Sequence, residues 1–397
     1  MALKNNTWKV NQWYDQNVAG NVSYSGAGRL YAAGDPDDYG QLGLNSRTKY
    51  SSPVQIPGTN WRQLGVGQDE AVIATKTDGT MWAWGRNTWG NLGLNTGPGG
   101  GTATRYSSPT QVPGTTWALS TATGSVAGAT KTDGTMWAWG YNGMGALGQN
   151  TQGNPTSRSS PVQVGSDTTW SSDSFDKLGG SFGAIMTIKT DGTLWAWGRN
   201  EFGVLGINAG HDSHRSSPVQ IPGTTWSVVC EPSDSGTTHT FAINTSGELF
   251  AVGRNDSGNL GLNNRTNYSS PVQIPGTTWR YVTTGARHTM ASKTDGTLWS
   301  WGYNGSGRLG LNQPEATFYS SPVQIPGTTW NRAFSGNASC WATKTDGTLW
   351  AWGYNGEGSL CQNNRTYYSS PVQVGSNTDW IRVSSPQANG LLALTNT

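Results

Sequence analysis

Side chains that could ligate a metal ion come together at one place in the sequence, the stretch NAGHDSHRSS. His211, Asp212 and His214 stand there close together, and imidazole and carboxylate groups are zinc ligands. No further fixed ligand is identifiable, so we expect an ordinary surface loop rather than a metal site. The other two histidines, His239 and His288, each precede Thr at the start of a predicted strand, where we expect a turn hydrogen bond at a corner.

Carboxylates recur in the phrase TDGT. An Asp in an Asp-Gly turn usually caps its own turn, so we interpret these residues as turn caps rather than catalytic acids. They are Asp78, Asp133, Asp191, Asp295 and Asp346. The sequence contains no GxSxG, P-loop or HExxH motif. It therefore predicts a protein that is not an enzyme and that binds no cofactor or metal.

Composition limits the partners that charge alone could attract. Charged residues are 12% of the 397 residues and the formal net charge is +2, so neither nucleic acid nor an anionic membrane is an expected partner. No signal peptide is visible and no apolar run is long enough to span a membrane. The three cysteines, Cys230, Cys340 and Cys361, predict unpaired thiols. Cys361 stands where other copies of a repeat have Gly, and we interpret it as sequence drift.

The chain repeats one sequence unit about every 50 residues, a period typical of propeller blades. Its markers are a Trp phrase such as WAWG, a segment SSPVQIPG and a Trp that follows it. Each unit predicts four short strands, for example A (TWRYVTTG from Thr278), B (HTMASKT), C (TLWSWG) and D (SPVQI). Asp-Gly between B and C predicts a two-residue hairpin turn. The two Trp of WAW point to one face of the sheet, and we expect them to pack blade against blade.

These motifs carry a family resemblance. The unit WAWGxNxxGxLG, with SSPVQI and a corner such as GARHT (Gly285 to Thr289), resembles the RCC1 repeat family of seven-bladed β-propellers, of the type found in bacteriophage proteins. The resemblance implies an all-β, seven-bladed propeller of about 50-residue repeats, each of four antiparallel strands. Two functions within the family, nucleotide exchange on a small GTPase and UV-B perception, use a projecting β-wedge and a GWRHT corner. Neither feature is evident here.

Strand counting predicts how the ring closes. Trp residues that open strand A number eight, from Trp8 to Trp380, but strand-C phrases number seven. We expect the C-terminal strands, Trp380 to Leu394, to join the blade that holds Arg29 to Gly34 and so hide the sheet edges. Residues 21–397 then form a single propeller. Residues 1–20 are left as an anchor segment, with its aromatic residues Trp8, Trp13 and Tyr14.

Strand parity predicts which face binds a partner. In an up-and-down blade, the A–B and C–D connections share one face, and here they vary between copies, with Ser171 to Gly183 taken as the longest A–B connection. Variation on one face of a rigid scaffold favours recognition. Arg and Tyr, common contact residues, recur just before SSP. The candidate binding residues are Arg47, Tyr50, Arg105, Tyr106, Arg265, Tyr268, Tyr319, Arg365 and Tyr368. The alternative is that these tyrosines simply pack at the start of strand D.

Three classes of function remain open at this point. We favour a non-enzymatic, virion-associated structural or interaction protein, such as a phage tail fibre, receptor-binding or capsid-surface protein. It would present its variable face to a host glycan or protein, contact other virion proteins through its N-terminal segment, and reach the virion from the host cytoplasm without an exporter. Homo-oligomerisation in that assembly stays open. The alternatives are a cytoplasmic regulator or scaffold that binds a protein partner, and a propeller lectin.

Overall fold

The chain folds into a ring of seven four-stranded antiparallel sheets. The computed structural model describes residues 28–35, 39–67, 70–97, 105–230, 237–386 and 390–396. Strand order within a sheet is A-B-C-D, and the A strands of neighbouring blades contact one another, which places strand A at the axis and strand D at the rim. The predicted all-β, seven-bladed propeller is confirmed.

Six blades are each built from four consecutive strands. We number the blades I to VII in the order of their C strands. Blade II is β3 (Trp61–Val66), β4 (Ala71–Lys76), β5 (Met81–Arg86) and β6 (Arg105–Val112); blade III is β7 (Trp117–Thr123), β8 (Val126–Lys131), β9 (Met136–Gly140) and β10 (Arg158–Gln163); blade IV is β11 (Leu178–Ser181), β12 (Ala184–Ile188), β13 (Leu194–Gly198) and β14 (Arg215–Ile221). Blade V is β15 (Trp226–Val229), β16 (His239–Asn244), β17 (Leu249–Gly253) and β18 (Tyr268–Gln273); blade VI is β19 (Trp279–Thr284), β20 (His288–Lys293), β21 (Leu298–Tyr303) and β22 (Phe318–Ile325); blade VII is β23 (Trp330–Ser335), β24 (Ser339–Lys344), β25 (Leu349–Gly353) and β26 (Tyr368–Gln373). Short 3₁₀ turns lie at Asn154–Thr156, Phe175–Lys177, Glu201–Gly203 and Gly305–Gly307.

Blade I closes the ring with strands from both ends of the sequence. It combines β1 (Leu30–Gly34) and β2 (Tyr50–Ile56) with β27 (Trp380–Ser384) and β28 (Gly390–Thr395), in the order β2-β1-β28-β27. Strand β28 pairs with β1 on one side and β27 on the other, which is the pairing expected from the surplus Trp. The division of the chain at residue 20 and the anchor residues Trp8, Trp13 and Tyr14 lie outside the described residues and stay predictions.

The TDGT phrase forms the turn between strands B and C. In blade II the Asp78 carboxylate accepts hydrogen bonds from the Thr80 backbone N–H (2.9 Å) and hydroxyl (2.6 Å), so the Asp caps its own turn as expected. These bonds lower the pKa of Asp78. The prediction of a two-residue turn was wrong. The Lys76 N–H bonds the Thr80 carbonyl, which leaves Thr77, Asp78 and Gly79 as the loop. Of these residues only Gly79 has positive φ, as in a three-residue hairpin loop that ends on a left-handed residue.

The two Trp of each WAW phrase play different parts. Trp82 is half-buried and donates its indole N–H to the Thr80 hydroxyl of its own turn at 3.0 Å. Trp84 is fully buried and donates its indole N–H to the Gln41 carbonyl of the preceding blade at 2.9 Å. The same cross-blade bond occurs for Trp139, Trp197, Trp301 and Trp352. The Trp phrase therefore joins blades, as its spacing predicts.

Each of the seven C–D loops is tied to strand D of the next blade by one backbone hydrogen bond. The donor is always the N–H of an Asn with positive φ, such as Asn45, which bonds the Ser107 carbonyl at 2.7 Å. The series passes through every blade and returns to the first, where Asn363 of blade VII bonds Ser51 of blade I at 3.1 Å. Each blade is thereby held to both neighbours by the loop that follows strand C.

One segment lies on the opposite face from the one predicted. Trp170 pairs with Lys189 through an isolated bridge, and strand β11 starts only at Leu178. Residues 171–177 are therefore an insertion at the Trp end of strand A, on the face of the B–C turns, and the A–B turn of blade IV is short. The inserted Phe175 lies under the guanidinium groups of Arg62 and Arg382, 5.5 and 5.2 Å from its ring centroid.

The neighbouring Asp176 extends this contact across the ring. Its carboxylate pairs with Arg332 at 2.5 Å, and both side chains are largely buried. Arg332 and Arg382 belong to the inner strands of blades VII and I, which lie opposite blade IV in the ring, and Arg62 belongs to the inner strand of blade II, two blades away. We call residues 171–177 the axial segment. Sequence pattern alone could not place it, because an insertion on either side of a short strand leaves the same flanking motifs.

Candidate interaction face

The A–B turns and C–D loops share one face of the ring, which we call the loop face. Its C–D loops are organised by a buried Asn that follows the Trp phrase. In blade II the Asn87 side-chain oxygen accepts from the Leu92 N–H at 3.0 Å, and its amide donates to the Thr96 carbonyl at 2.9 Å. In five further blades the Asn side-chain oxygen accepts the equivalent Leu N–H, and these residues are Asn142, Asn200, Asn255, Asn304 and Asn355. The loops are thus held in defined conformations.

The candidate tyrosines are half-buried at the start of strand D, on the loop face. They pack against the hydrophobic clusters between blades, as Tyr50 and Tyr106 do in the cluster that contains Trp84. Their hydroxyls bond their own loops: Tyr268 and Tyr368 accept from Asn264 (3.1 Å) and Asn364 (2.9 Å). Tyr319 also packs against a buried cluster. These contacts fit the packing alternative, and a binding role for the tyrosines stays a prediction.

The candidate arginines are exposed on the loop face, and the structure brings two of them together. Arg47 and Arg105 line a groove of about 330 Å³ at the joint of blades I and II, together with Tyr39, Asn45 and Ser46. The Arg105 guanidinium lies 5.7 Å from the Tyr39 ring centroid. The other two candidate arginines lie on other blades. They are Arg265 in blade V and Arg365 in blade VII.

An Arg or Tyr directly after the Trp phrase also faces this surface, and sequence reasoning missed it. The position is occupied by Arg86, Tyr141, Arg199, Arg254, Tyr303 and Tyr354. Each lies beside an aromatic ring: Arg86 is 4.7 Å from Tyr39, Tyr141 is 4.7 Å from Trp89, Arg199 is 4.4 Å from Phe182, Arg254 is 5.0 Å from Phe202, Tyr303 is 4.9 Å from Phe318 and Tyr354 is 4.8 Å from Tyr367. The sequence carried a signal for this position, because the residue after the final Gly of the Trp phrase is Arg or Tyr in each of these copies.

Exposed aromatic area is concentrated on the same face. Phe318 and Tyr367 are 42% and 46% exposed, high values for large apolar rings. The Arg265 guanidinium lies 4.8 Å from the Phe318 centroid, so an arginine of blade V meets an aromatic residue of blade VI. Arginine and aromatic side chains are the groups enriched in protein interfaces. The loop face thus carries contact chemistry at several joints.

An ion pair network joins blades VII and I on this face. Lys49 Nζ lies 2.5 Å from the Asp35 carboxylate and 2.7 Å from that of Glu357. Hydrogen bonds to Asp35 and then Glu357 raise the pKa of Lys49. Lys49 is 42% exposed, so solvent screens the interaction and its main effect is to position the two loops.

The candidate metal ligands in NAGHDSHRSS are not grouped around one point. His211 Nδ1 pairs with the Asp212 carboxylate at 2.8 Å in an exposed loop, whereas His214 Nδ1 accepts the Asn200 backbone N–H at 3.0 Å. Across the part of the chain that the structure describes, no group of three or more His, Cys, Asp or Glu side chains is placed to hold a metal ion. The described residues also contain no helix long and apolar enough to cross a membrane.

The other two histidines are buried and bond the next blade rather than their own turn. His239 Nε2 lies 3.4 Å from the Thr289 hydroxyl, and His288 Nε2 lies 3.1 Å from Cys340 Sγ. Burial lowers the pKa of His239 to about 4 and that of His288 well below its usual value, so both are neutral at pH 7. Cys230, Cys340 and Cys361 are free thiols and buried, as predicted.

Comparison with known sequences decides the family. A model of the "Regulator of chromosome condensation (RCC1) repeat" matches residues 78–125, 133–172, 191–243, 246–292 and 295–340, which together are more than half of the chain. The chain belongs to the RCC1-repeat family. A second model of the same repeat matches residues 279–308. The expected bacteriophage type within the RCC1-repeat family stays a prediction.

Relatives of this RCC1-repeat chain include a plant receptor and a human protein. It is 26% identical to the ultraviolet-B receptor UVR8 of Arabidopsis thaliana over 64% of this chain and 55% of that protein. It is 41% identical to human protein RCC2 over 22% of this chain and 17% of that protein. The matches thus span about half of the plant receptor and a small part of RCC2.

Solved structures show the same fold. Human WBSCR16 superposes with a TM-score of 0.78 at 17% identity, covering 93% of this chain and 100% of that one. Yeast RCC1 (Prp20), from its complex with Kap60, superposes with a TM-score of 0.77 at 18% identity, covering 94% and 89%. At this level of identity the likeness concerns the fold alone.

Proposed function

We propose that this RCC1-repeat protein is a non-enzymatic scaffold that binds a protein partner through its loop face. The observation that carries the proposal is the groove in which Arg47, Arg105 and Tyr39 meet at the joint of blades I and II. Two guanidinium groups beside an aromatic ring suit a carboxylate-bearing peptide segment, because guanidinium binds carboxylates with charge-assisted hydrogen bonds. The Arg265–Phe318 pair adds a second contact site on the same face.

The relatives support a protein partner. One solved structure is that of yeast RCC1 bound to Kap60, and another reports the binding of Prp20p to Gsp1p and histones. Kap60, Gsp1p and histones are partners of the yeast protein. They favour a regulator or scaffold for this chain over the virion-associated role, since yeast Prp20 binds other proteins.

Selection from a random peptide library tests the proposal. Peptides enriched on the immobilised protein should be rich in Asp and Glu, and fluorescence anisotropy should give their affinity. Arg47→Ala combined with Arg105→Ala should weaken binding at least about tenfold, because a hydrogen bond to a charged group contributes about 1.5–3 kcal/mol. Arg280→Ala is the matched control, since Arg280 is an exposed arginine near the start of β19, on the face of the B–C turns rather than the loop face.

Two results would count against the scaffold. One is the selection of peptides without acidic residues. The other is equal binding by the double variant and the native protein, with Arg280→Ala abolishing binding instead. The virion-associated role, with a host glycan or protein on the loop face, remains a separate prediction, which mass spectrometry of purified particles would test.

A further inference from the structure

The joint between blades III and IV differs in sequence from most other joints. At four joints a Leu follows the Leu-Gly pair of the C–D loop, and at a fifth joint Ile207 takes the place of this Leu. The four leucines are Leu44, Leu94, Leu262 and Leu311. At the joint of blades III and IV the residue is Gln149, and the following link reads VGSD instead of IPG. An apolar side chain and a proline are therefore both missing here, as they also are at the joint of blades VII and I, which has Gln362 and VGSN.

At the other joints this Leu covers the tryptophans of the next blade. Leu94 packs against the cluster that contains Trp117 and Trp137, and Leu311 against the cluster that contains Trp330 and Trp350. Gln149 turns away instead, because its amide donates to the Leu147 carbonyl (3.2 Å) and the Gln163 carbonyl (2.7 Å). The space taken by Leu elsewhere is thus not filled by an apolar group here.

The result is an open cleft of about 490 Å³. Its lining combines two indole rings, those of Trp170 and Trp195, with polar side chains. The polar lining residues are Gln149, Asn150, Asp167, Lys189 and Ser217. This volume falls within the ~300–1,000 Å³ of small-molecule sites, which are typically aromatic-lined with a few placed polar groups.

The charges in the cleft cancel. Lys189 Nζ lies 2.5 Å from the Asp167 carboxylate and also stacks over Trp170 and Trp195, 4.7 and 4.1 Å from their centroids. Burial opposes ionisation of Asp167, but hydrogen bonds from Lys189 and Thr169 prevail and lower its pKa to about 2. A charged ligand would have to break this pair, whereas a neutral ligand would not.

The remaining groups are hydrogen-bonding and neutral. Gln149 lines the cleft, and its amide uses its N–H groups on backbone carbonyls, which leaves its oxygen as an acceptor. Trp170 is 3% exposed, and its indole N–H has no hydrogen-bond partner, a property that it shares with Trp61, Trp279 and Trp380. Trp170 also lines the cleft.

We propose that the cleft between blades III and IV binds a neutral, polyhydroxylated ligand of the sugar class. The C–H face of a sugar ring packs against an indole ring, while its hydroxyls both donate and accept, which matches Gln149, Asn150, Asp167 and Ser217. This site lies at the rim of the ring and is separate from the loop-face groove, so it does not depend on the proposed protein-binding function.

Saturation-transfer NMR with neutral sugars tests the site on the full chain. The probes are glucose, galactose, mannose and N-acetylglucosamine with their β-linked disaccharides, at concentrations up to the millimolar range typical of single weak sites. At least one should bind. Gln149→Leu restores the residue of the other joints, and it should weaken that binding at least about tenfold while leaving the thermal midpoint unchanged or higher. Asp167→Asn should also weaken it.

The matched control is Gln362→Leu at the joint of blades VII and I. Gln362 makes the same two backbone bonds as Gln149, to the Leu360 and Gln373 carbonyls, but Tyr31 stands there in place of the first Trp. It should leave sugar binding unchanged. Failure of every probe to bind, or binding that survives Gln149→Leu, or equal loss in Gln362→Leu, would overturn the proposal. These outcomes are independent of whether peptides bind the loop face.

Discussion

Single buried imidazoles link this propeller's stability to pH. His239 and His288 are buried between blades, where the neutral form fits and the charged form would lose its hydration. The pKa of the turn aspartates is also lowered, but by a different cause, because hydrogen bonds from the following Thr favour the charged form of Asp78 and its counterparts. The two kinds of group therefore affect stability in different pH windows.

The histidines should make the protein less stable as the pH falls from 6.5 toward 4. The pKa of His239 is near 6.5 in the unfolded chain and about 4 in the folded one, so in this window the unfolded state binds more protons. The loss from His239 alone should reach about 3 kcal/mol near pH 4. Urea unfolding at pH 7, 5.5 and 4.5 measures it.

Removing the imidazoles provides the control. His239→Ala with His288→Ala should flatten the pH dependence, and Ala already stands at the start of strand B in blades II and IV, as Ala71 and Ala184. His211→Ala, at an exposed position, should not change the slope. The turn aspartates contribute stability that is lost mainly as the pH falls through their ordinary pKa of 3.8, at and below the acid end of this window. An unchanged slope in the double variant would contradict the assignment.

At the scale of elements, each C–D loop is matched to the strand C that it touches. Gly310 has positive φ, and a Cβ there would lie 2.8 Å from Trp352 Nε1. At the joint of blades IV and V the second Trp is replaced by Val252, and a Cβ on Gly206 would meet nothing closer than 3.5 Å. Cys361 packs in one cluster with Ala33, which occupies the same strand position. A small neighbour therefore leaves room for the Cys361 side chain where other copies have Gly, and the interpretation of Cys361 as drift stays a prediction.

This matching predicts unequal effects of one substitution at two joints. Gly310→Ala and Gly206→Ala force the same left-handed backbone, since φ is 69° and 70°. Only Gly310→Ala also overlaps an indole ring, so it should cost ~1–3 kcal/mol more, the usual penalty of overpacking. The difference in unfolding free energy between the two variants is measured from their denaturant midpoints, with the same denaturant dependence (m-value) used for both. Adding Trp352→Val should recover part of the loss at position 310, whereas equal losses at both joints would disprove the steric account.

The repeated elements were predictable because the same local chemistry is written many times. The Trp phrase, the capped TDGT turn and the strand order follow from periodicity and turn residues. The axial segment and the blade III–IV cleft did not follow, because each depends on what it meets across the ring or the joint. Arg47 and Arg105 are distant in sequence, and only the closed ring brings them to one groove.

At the scale of the whole molecule, blade I is the seam of the ring. Strand β28 lies between β1 and β27 and contributes Leu392, which is fully buried and pairs with Ala32 and Ser384. An open array of repeats loses stability locally, one unit at a time. A closed ring has no free end while the seam holds, so we expect the blades to unfold together.

Leu392→Asp should therefore destabilise the whole ring. A buried carboxylate without a partner costs several kcal/mol, and the lost seam should lower the midpoint of a single cooperative transition. Ile381→Asp, in the neighbouring strand β27, is the control, because Ile381 is 42% exposed and the change should stay within about 0.5 kcal/mol. Calorimetry that resolves two transitions, with most blades intact after the first, would contradict a cooperative ring.

The axial segment has a consequence for motion. Collective breathing of a ring, in which opposite blades move apart, is a slow mode on the microsecond-to-millisecond scale. Phe175 and Asp176 connect blade IV to Arg332 and Arg382 of the opposite blades and to Arg62 of blade II, so this mode must separate the Arg332–Asp176 pair and lift two guanidinium groups from one phenyl ring. The inner strands should consequently fluctuate least where the ring would otherwise open, and amide hydrogens near the axis should exchange more slowly than those at the rim.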